Sequence, residues 1–584
     1  MFAKAAHGQE VPEPAGPDPI PTLSHDAQPD SPQPLPPEPL VAVHGVVKNA
    51  VTGEPLPRAL VQVGGETGPG ALTDGDGRFD LMVPGLGPHI FQLTKPGFHD
   101  LPPITSSPAT LLENTNSVPR NVFVTEDMPG LSFTMTPTGV IRGRIDLSSG
   151  DLGQGIGVQL LRRTIQGGHA IWRTAANARS DSDGAYRFAG LDEGDYAIAT
   201  DSAKDSDIAN NLVEKESEGK VSWSGYAASF YPDAREFSGA ARIHLRGGES
   251  VQANLMLKLE PFHLLRATLP PAKEGDKSIV DYAASILDTQ GHALSYPAQY
   301  ESESRTVQAM LPDGTYSLQV TAVKRPNLGE FVFARNAMDA AGAVLQATTD
   351  FTVAGHAVTG LRISLAQKVA NPLTVNIIHG SARPVTSTGG GPGVYVSVSQ
   401  AGDALVDGVW TQFAQGAVPG QLETNVLAPG SYWAHPSIGQ PGLCESSFTA
   451  GGASLAREPL IVGPGGASAP LTLTLRDDCA ALKLSLPPSL MSLTAGEEPA
   501  FTVYVVPDFD STVDVAQATV RPSSVDSVML INLTPGSYHV YAFPAPVELE
   551  YRNPEALAAL PNPGQAITLE PSSTTTLVLE APVR

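Results

Sequence analysis

Short runs in which apolar and polar residues alternate recur from residue 41 to the end of the chain. Leu361-Arg362-Ile363-Ser364-Leu365, Leu471-Thr472-Leu473-Thr474-Leu475 and Thr576-Leu577-Val578-Leu579 are examples, and Ala253-Asn254-Leu255-Met256-Leu257 belongs with them. Alternation at period two marks a strand with one buried face. These runs follow polar or glycine-rich turns, such as Gly247-Gly248-Glu249 and Gly355. No stretch approaches the roughly 20 consecutive apolar residues that a membrane-spanning helix needs.

A second element recurs at longer range. An apolar approach, a Pro/Gly or Asp/Gly turn and then usually a tyrosine appear in Val83-Pro84-Gly85-Leu86-Gly87-Pro88-His89, Leu191-Asp192-Glu193-Gly194-Asp195-Tyr196 and Leu311-Pro312-Asp313-Gly314-Thr315-Tyr316. Leu427-Ala428-Pro429-Gly430-Ser431-Tyr432 and Leu533-Thr534-Pro535-Gly536-Ser537-Tyr538 complete the set. The anchors at 89, 196, 316, 432 and 538 give a period of 106 to 120 residues, too long for a solenoid and suited to one β-sandwich per repeat. Proline fixes φ and glycine supplies φ > 0, so the motif predicts a compact hairpin turn whose tyrosine opens the returning strand. The tyrosine ring can bury there while its hydroxyl finds a partner.

Composition supports an all-β reading. Of 584 residues, 57 are glycine and 53 proline, which long helices tolerate poorly and short strands joined by tight turns require. We therefore expect a tandem array of about five small antiparallel β-sandwiches behind a disordered Pro-rich leader. The predicted divisions are 1–40 for the leader, then 41–139, 140–262, 263–368, 369–477 and 478–584. The leader holds six acidic residues against one lysine and reads as a polyproline-biased tether.

Lys plus Arg total 36 against 60 Asp plus Glu, a net charge of −24. That balance repels nucleic-acid phosphates and anionic membrane surfaces, and reads first as solubility. Ala3-Lys4-Ala5 has the small–x–small form that precedes signal-peptide cleavage, and the chain is expected to begin inside a truncated export signal.

The first unit resembles the carboxypeptidase regulatory-like domains, a transthyretin-like family. The resemblance is carried by Gly45-Val46-Val47, Thr52-Gly53-Glu54-Pro55-Leu56-Pro57, Ala59-Leu60-Val61-Gln62-Val63, Thr73-Asp74-Gly75-Asp76-Gly77-Arg78-Phe79 and the Pro84-Gly85 turn. Unit two keeps Gly143-Arg144-Ile145 and Ser180-Asp181-Ser182-Asp183-Gly184-Ala185-Tyr186-Arg187-Phe188 but lacks the Thr-Gly-Glu-Pro-Leu turn. Units three to five retain mainly the turn–Tyr motif and the closing strand. Glu550-Tyr551-Arg552-Asn553-Pro554-Glu555 is similar to a segment of large exported bacterial proteins built from such repeats. The resemblance implies a helper module for catalytic or outer-membrane partners, and related sandwiches bind starch-like glycans.

Catalytic chemistry finds little support in the sequence. Asp74-Gly75-Asp76-Gly77 and Asp181-Ser182-Asp183-Gly184 could collect carboxylates around calcium, but an EF-hand starting at Asp74 would have Gly85 where a bidentate Glu is needed. One starting at Asp181 would have Tyr186 where the loop needs glycine. Both read instead as turns closed by Asp. The one H-x-x-E pair, His7 with Glu10, sits in the leader, where zinc geometry cannot be held. Gly389-Gly390-Gly391-Pro392-Gly393 has no Lys for a phosphate loop, and no G-x-S-x-G elbow occurs. A dispersed hydrolase triad remains the third functional class. No catalytic residue, metal or cofactor is assigned.

Two sites remain. Cys444 and Cys479 are two thiols in a cytosolic chain and a disulfide in an exported one, and the disulfide is the expectation. The long insertion between Tyr196 and Gly247 carries Trp223, Tyr226, Phe230 and Tyr231, whose flat faces could stack on sugar rings or pack beneath their own loop. The sequence thus favours a non-catalytic, exported scaffold or interaction protein of the periplasm or cell surface, with a carbohydrate-binding protein as the alternative. Its partner would be a protein or polysaccharide of the envelope, and its form an elongated monomer.

Overall fold

The structure is a computed structural model. It describes residues 39–65, 68–100, 120–202, 213–217, 220–270, 279–325, 344–367, 372–380, 394–401, 413–415, 421–424, 430–463, 466–467, 469–487, 496–497, 501–521, 527–544 and 547–580. Residues 1–38 of the leader, with His7 and Glu10, and the Gly389–Gly393 loop lie outside the described residues.

The chain is all-β, and one topology recurs five times. In unit one the first strand, Leu40–Asn49, lies between Arg78–Pro84, which runs antiparallel to it, and Leu131–Pro137, which runs parallel. The facing sheet has the order Gly70–Leu72, Leu60–Val63, Gly87–Thr94, Arg120–Val124. The same central strand with one antiparallel and one parallel neighbour is Gly139–Leu147 in unit two and Leu259–Thr268 in unit three. In units four and five it is Pro372–Ile378 and Ala480–Ser485. The alternating runs of the sequence are the parallel closing strands. Because the first and last strands of a unit run side by side in one direction, the chain enters at one end and leaves at the other. That placement suits a tandem array.

Alternation sets each core. Along Arg78–Pro84, Phe79, Leu81 and Val83 point inward and their neighbours outward. They join Val43, Val61, Phe91 and Phe133 in one buried cluster, and each such side chain contributes about 1.5–3 kcal/mol by leaving water.

The turn–Tyr motif corrects its sequence reading. It is a corner between the two sheets of a sandwich and not a hairpin: Thr306–Pro312 belongs to one sheet of unit three, and Gly314–Arg325 belongs to the other. Flanking strands divide between sheets in the same way in all five units. At the corner the buried ring turns its polar end back on the chain. Tyr196, Tyr316 and Tyr538 each donate to the carbonyl four residues earlier, on Asp192, Pro312 and Thr534. His89 of unit one places Nε2 3.3 Å from the Gly85 carbonyl, keeping the same relation with another ring. A buried hydroxyl without such a partner would cost free energy, and the corner carbonyl supplies that partner to the tyrosine.

The corner glycine answers to this packing. A Cβ on Gly314 would lie 2.7 Å from Tyr316 Oη. Gly314→Ala is expected to displace the ring and destabilise unit three by about 1–3 kcal/mol. Faster hydrogen exchange in Gly314–Arg325 and its partner Val344–Val353 is the measurement, and unchanged exchange there would reject the assignment.

Two further departures concern the array. The insertion of unit two contains Val213–Ser217 and Lys220–Tyr226, a hairpin that extends the sheet of unit three by pairing Trp223 with Phe262. Units two and three consequently share a core in which Trp172 and Phe237 meet edge to face at 5.3 Å. The second departure is the shape. The elongated form expected from sequence is contradicted, because the chain folds back on itself. Gly496–Glu497 pairs with Val122 and Phe123 of unit one, and Arg163 of unit two meets Glu550 at 2.7 Å. Strand edges and hairpin tips of distant units complement one another.

Candidate functional site

The four aromatic residues of the insertion do not form a platform. Tyr226 is fully buried and donates to Ser149 Oγ at 3.0 Å. Phe230 is buried and packs edge to face on Phe237. Trp223 and Tyr231 are half-buried, against the shared core of units two and three and against the core of unit two respectively. The rings hold the insertion to the sandwiches, and Tyr226 and Phe230 offer no face to a sugar.

Cys444 and Cys479 form a disulfide, with Cα atoms 5.9 Å apart, that ties a strand of unit four to the entry of unit five. The Asp-rich turns use their carboxylates internally. Asp74 Oδ1 accepts from the amides of Asp76 and Arg78, and Asp181 Oδ1 from those of Asp183 and Ala185. Asp288 repeats the pattern in unit three with Gln290 and His292, a turn not singled out from sequence. Burial pushes the Asp288 carboxyl up, but hydrogen bonds from His292 outweigh it and the net shift is downward. Among the described residues, no three or more His, Cys, Asp or Glu side chains are grouped to hold a metal.

The most elaborate polar arrangement lies where units two, four and five meet. Strands Gly157–Gln166 and His169–Arg179 form a long hairpin whose tip, Gly167-Gly168, enters the seam between units four and five. The tip must be glycine. Both residues have φ > 0, and a Cβ on Gly167 would lie 2.6 Å from the His435 ring, while one on Gly168 would strike Tyr551. Beside the tip, the His169 ring stacks on Trp433 at 4.0 Å and 11°.

Arg552 binds this junction together. Its guanidinium donates to the carbonyls of Gly167, Ser511, Thr512 and Val513, at 2.8, 2.5, 3.0 and 3.1 Å. From the other side, the buried Glu445 carboxylate accepts from the amides of Thr512 and Val513 and from the hydroxyls of Ser511 and Thr512. Loop 511–513 is thus gripped on its N–H side by unit four and on its carbonyl side by Arg552. Asn553 and Pro554 then start the short helix Pro554–Ala558, Asn553 accepting from two helix amides and Pro554 filling the first turn. The Glu550–Glu555 segment noted in the sequence is therefore the junction itself. A cleft of about 270 Å³ opens alongside, lined by Pro436, Ile438, Glu445, Val505, Asp514 and Tyr538 among others.

No family model matches the chain. No curated protein matches it either. Among solved structures, the Bacillus anthracis TIE protein aligns at 12% identity over 68% of this chain and 63% of its own length, with a TM-score of 0.15. Shaft pilin SpaA from Lactobacillus rhamnosus GG aligns at 10% identity over 38% of this chain and 98% of its own, with a TM-score of 0.19. The minor pilin GBS52 of Streptococcus agalactiae aligns at 13% identity over 41% and 100%, with a TM-score of 0.17. Likenesses this slight do not bear on function.

A second charged seam joins units one and two. His99 Nδ1 lies 2.5 Å from Asp192 Oδ1, and Arg162 donates to the other carboxylate oxygen. The hydrogen bond to Asp192 raises the His99 pKa above 6.5. For Asp192, burial works upward, but His99 and Arg162 together bring its pKa down. A raised imidazole pKa gives stability that is fully present below about pH 6.5 and is lost as pH rises through the folded value. Proton exchange at the edges of units one and two is therefore expected to accelerate selectively, after correction for intrinsic rates, as pH rises above 6.5. His99→Gln should remove the pH dependence. If the variant keeps it, His99 is not its source.

Proposed function

We propose that this chain is a non-catalytic, exported scaffold or interaction protein of the periplasm or cell surface, and that its units work as one interlocked body. The observation that carries this reading is the three-unit junction around Arg552, where hydrogen bonds from one side chain join segments 385 residues apart in sequence. Such a junction fixes the spacing of surfaces that different units present. The Cys444–Cys479 disulfide suits an oxidising compartment, which supports export. The resemblance of units one and two to carboxypeptidase regulatory-like domains belongs to the same reading, and the topology that all five units share supports a repeat scaffold.

The test is to present the purified full chain to a glycan array and to a panel of ester, peptide and glycoside hydrolase probes, beside cross-linking in envelope fractions. A scaffold is expected to cross-link stoichiometrically to an envelope protein while the array and the probes stay silent. Turnover of any probe, abolished by one substitution, would end the non-catalytic reading. Concentrated binding to one polysaccharide class, lost on Trp223→Ala, would install the carbohydrate-binding alternative.

A further inference from the structure

The junction of units two, four and five contains two imidazoles in an unusual position. His435 is buried, and its Nδ1 faces the Thr512 carbonyl at 3.3 Å, so Nδ1 carries the proton and Nε2 presents a lone pair. That Nε2 is buried without a hydrogen-bond partner and abuts the backbone of Gly167, where a Cβ would lie 2.9 Å away. His169 Nε2 is likewise buried and unpartnered, and the two rings have centroids 6.5 Å apart. Among the described residues, neither nitrogen meets an acceptor for a proton. We propose that this junction is an acid-sensitive latch, closed while His169 and His435 are neutral and released when they take up protons, so that the folded-back array opens.

The charged surroundings favour this direction. From unit five, the Arg552 guanidinium faces both rings, with Tyr551 beside the hairpin tip. Asp514 lies 3.6 Å from His435 Nδ1 but is 70% exposed, so water screens its attraction for a protonated ring. On the hairpin itself, Arg163 is paired with Glu550, and Arg173 with the Gln166 amide oxygen. From unit four, Glu445 accepts from loop 511–513 and Trp433 supplies an apolar stacking face. Burial first, and then Arg552 and His435, hold His169 down to about 3, and burial likewise lowers His435.

The sign follows from linkage. An imidazole whose docked pKa is depressed contributes stability above its free value of 6.5 and loses it as pH falls toward the docked value. His169 weakens docking about tenfold per pH unit from 6.5 down to about 3, and His435, lowered in the same sense, adds to that loss. General electrostatics act the other way. Protonating carboxylates shrinks the net charge of −24, relaxes self-repulsion and favours compaction. Expansion on acidification therefore points to the histidines. The latch is independent of what the scaffold binds, and its failure would leave the proposed function standing.

The experiment is small-angle scattering of the full chain from pH 7.5 to 4.5, with far-UV circular dichroism confirming that the sandwiches stay folded. The radius of gyration should rise as pH falls, with more than one proton taken up per opening event. His169→Phe, which keeps a ring on Trp433, and His435→Asn, which keeps a donor for Thr512, should each reduce that dependence. The double variant should stay closed at pH 4.5. A wild-type radius that is flat across the range, or single variants that open with the wild-type proton dependence, would overturn the latch. Should the double variant be open already at pH 7.5, the slopes of the single variants decide.

Discussion

Asp100→Ala is expected to destabilise unit one by about 3–5 kcal/mol, because it breaks an ion pair buried inside a sandwich. Asp100 and Arg120 form a 2.7 Å ion pair whose side chains are 0% and 4% exposed. Arg120 also donates to the carbonyls of Asp100 and Thr134, and its guanidinium lies 5.4 Å over the Phe133 ring. Asp100 Oδ2 in turn accepts from the Leu93 amide, so the carboxylate fastens the two sheets' edges as well as the arginine. Truncating it removes the carboxylate that the buried guanidinium meets at 2.7 Å and the acceptor of the Leu93 amide. The joint replacement Asp100→Leu with Arg120→Met should cost far less, since an apolar pair of similar volume carries no desolvated charge. Hydrogen exchange in Leu60–Val63 and Gly87–Thr94 reads the difference. The single variant should raise their rates about 10²- to 10⁴-fold, and the double variant much less. Equal effects of the two would show that lost volume, and not the broken ion pair, sets the cost.

The sandwich repeat was legible because local rules carry it. Period-two alternation in Leu471–Leu475 needs no tertiary information to predict a strand buried on one face, and in the structure that strand alternates buried and half-buried residues. The turn–Tyr spacing located one corner in each unit. What it could not tell was whether the flanking strands return within one sheet or cross to the other, since Pro and Gly serve both connections and only pairing partners distinguish them. The aromatic insertion was ambiguous for a similar reason. Tyr226 and Phe230 look alike on a binding face or in a core until Ser149 and Phe237 are seen against them. The folded-back shape was out of reach from sequence. Gly167-Gly168 signals a hairpin tip, but nothing in the neighbouring residues says that His435 and Tyr551, hundreds of positions away, leave no room there for a Cβ. Glu445 reads as an ordinary charged residue after a cysteine. Its burial depends on loop 511–513, which the sequence does not connect to it.

That buried glutamate yields the second large effect. Glu445→Ala is expected to weaken the seam between units four and five by about 3–5 kcal/mol, because the Thr512 and Val513 amides and two hydroxyls lose a charged acceptor in a site 2% exposed. Water entering from the neighbouring cleft can recover only part of the loss, since Thr512 itself is 1% exposed. The disulfide and the Thr534 hydroxyl, which donates to the Glu445 carbonyl, remain in the variant, so the units stay tethered while loop 511–513 loosens. Arg552→Ala removes the opposite grip on the same loop and frees the hairpin tip of unit two as well. If both side chains hold one conformation of the loop, their effects cannot be independent. Once Glu445 is gone the loop carbonyls are no longer positioned for Arg552, and the second substitution then costs less. A double-mutant cycle read by exchange of the 511–513 amides should accordingly give a coupling of about 1–3 kcal/mol. Strict additivity would mean that unit four and unit two bind unit five separately, and that the three-unit junction is two adjacent contacts with no common element.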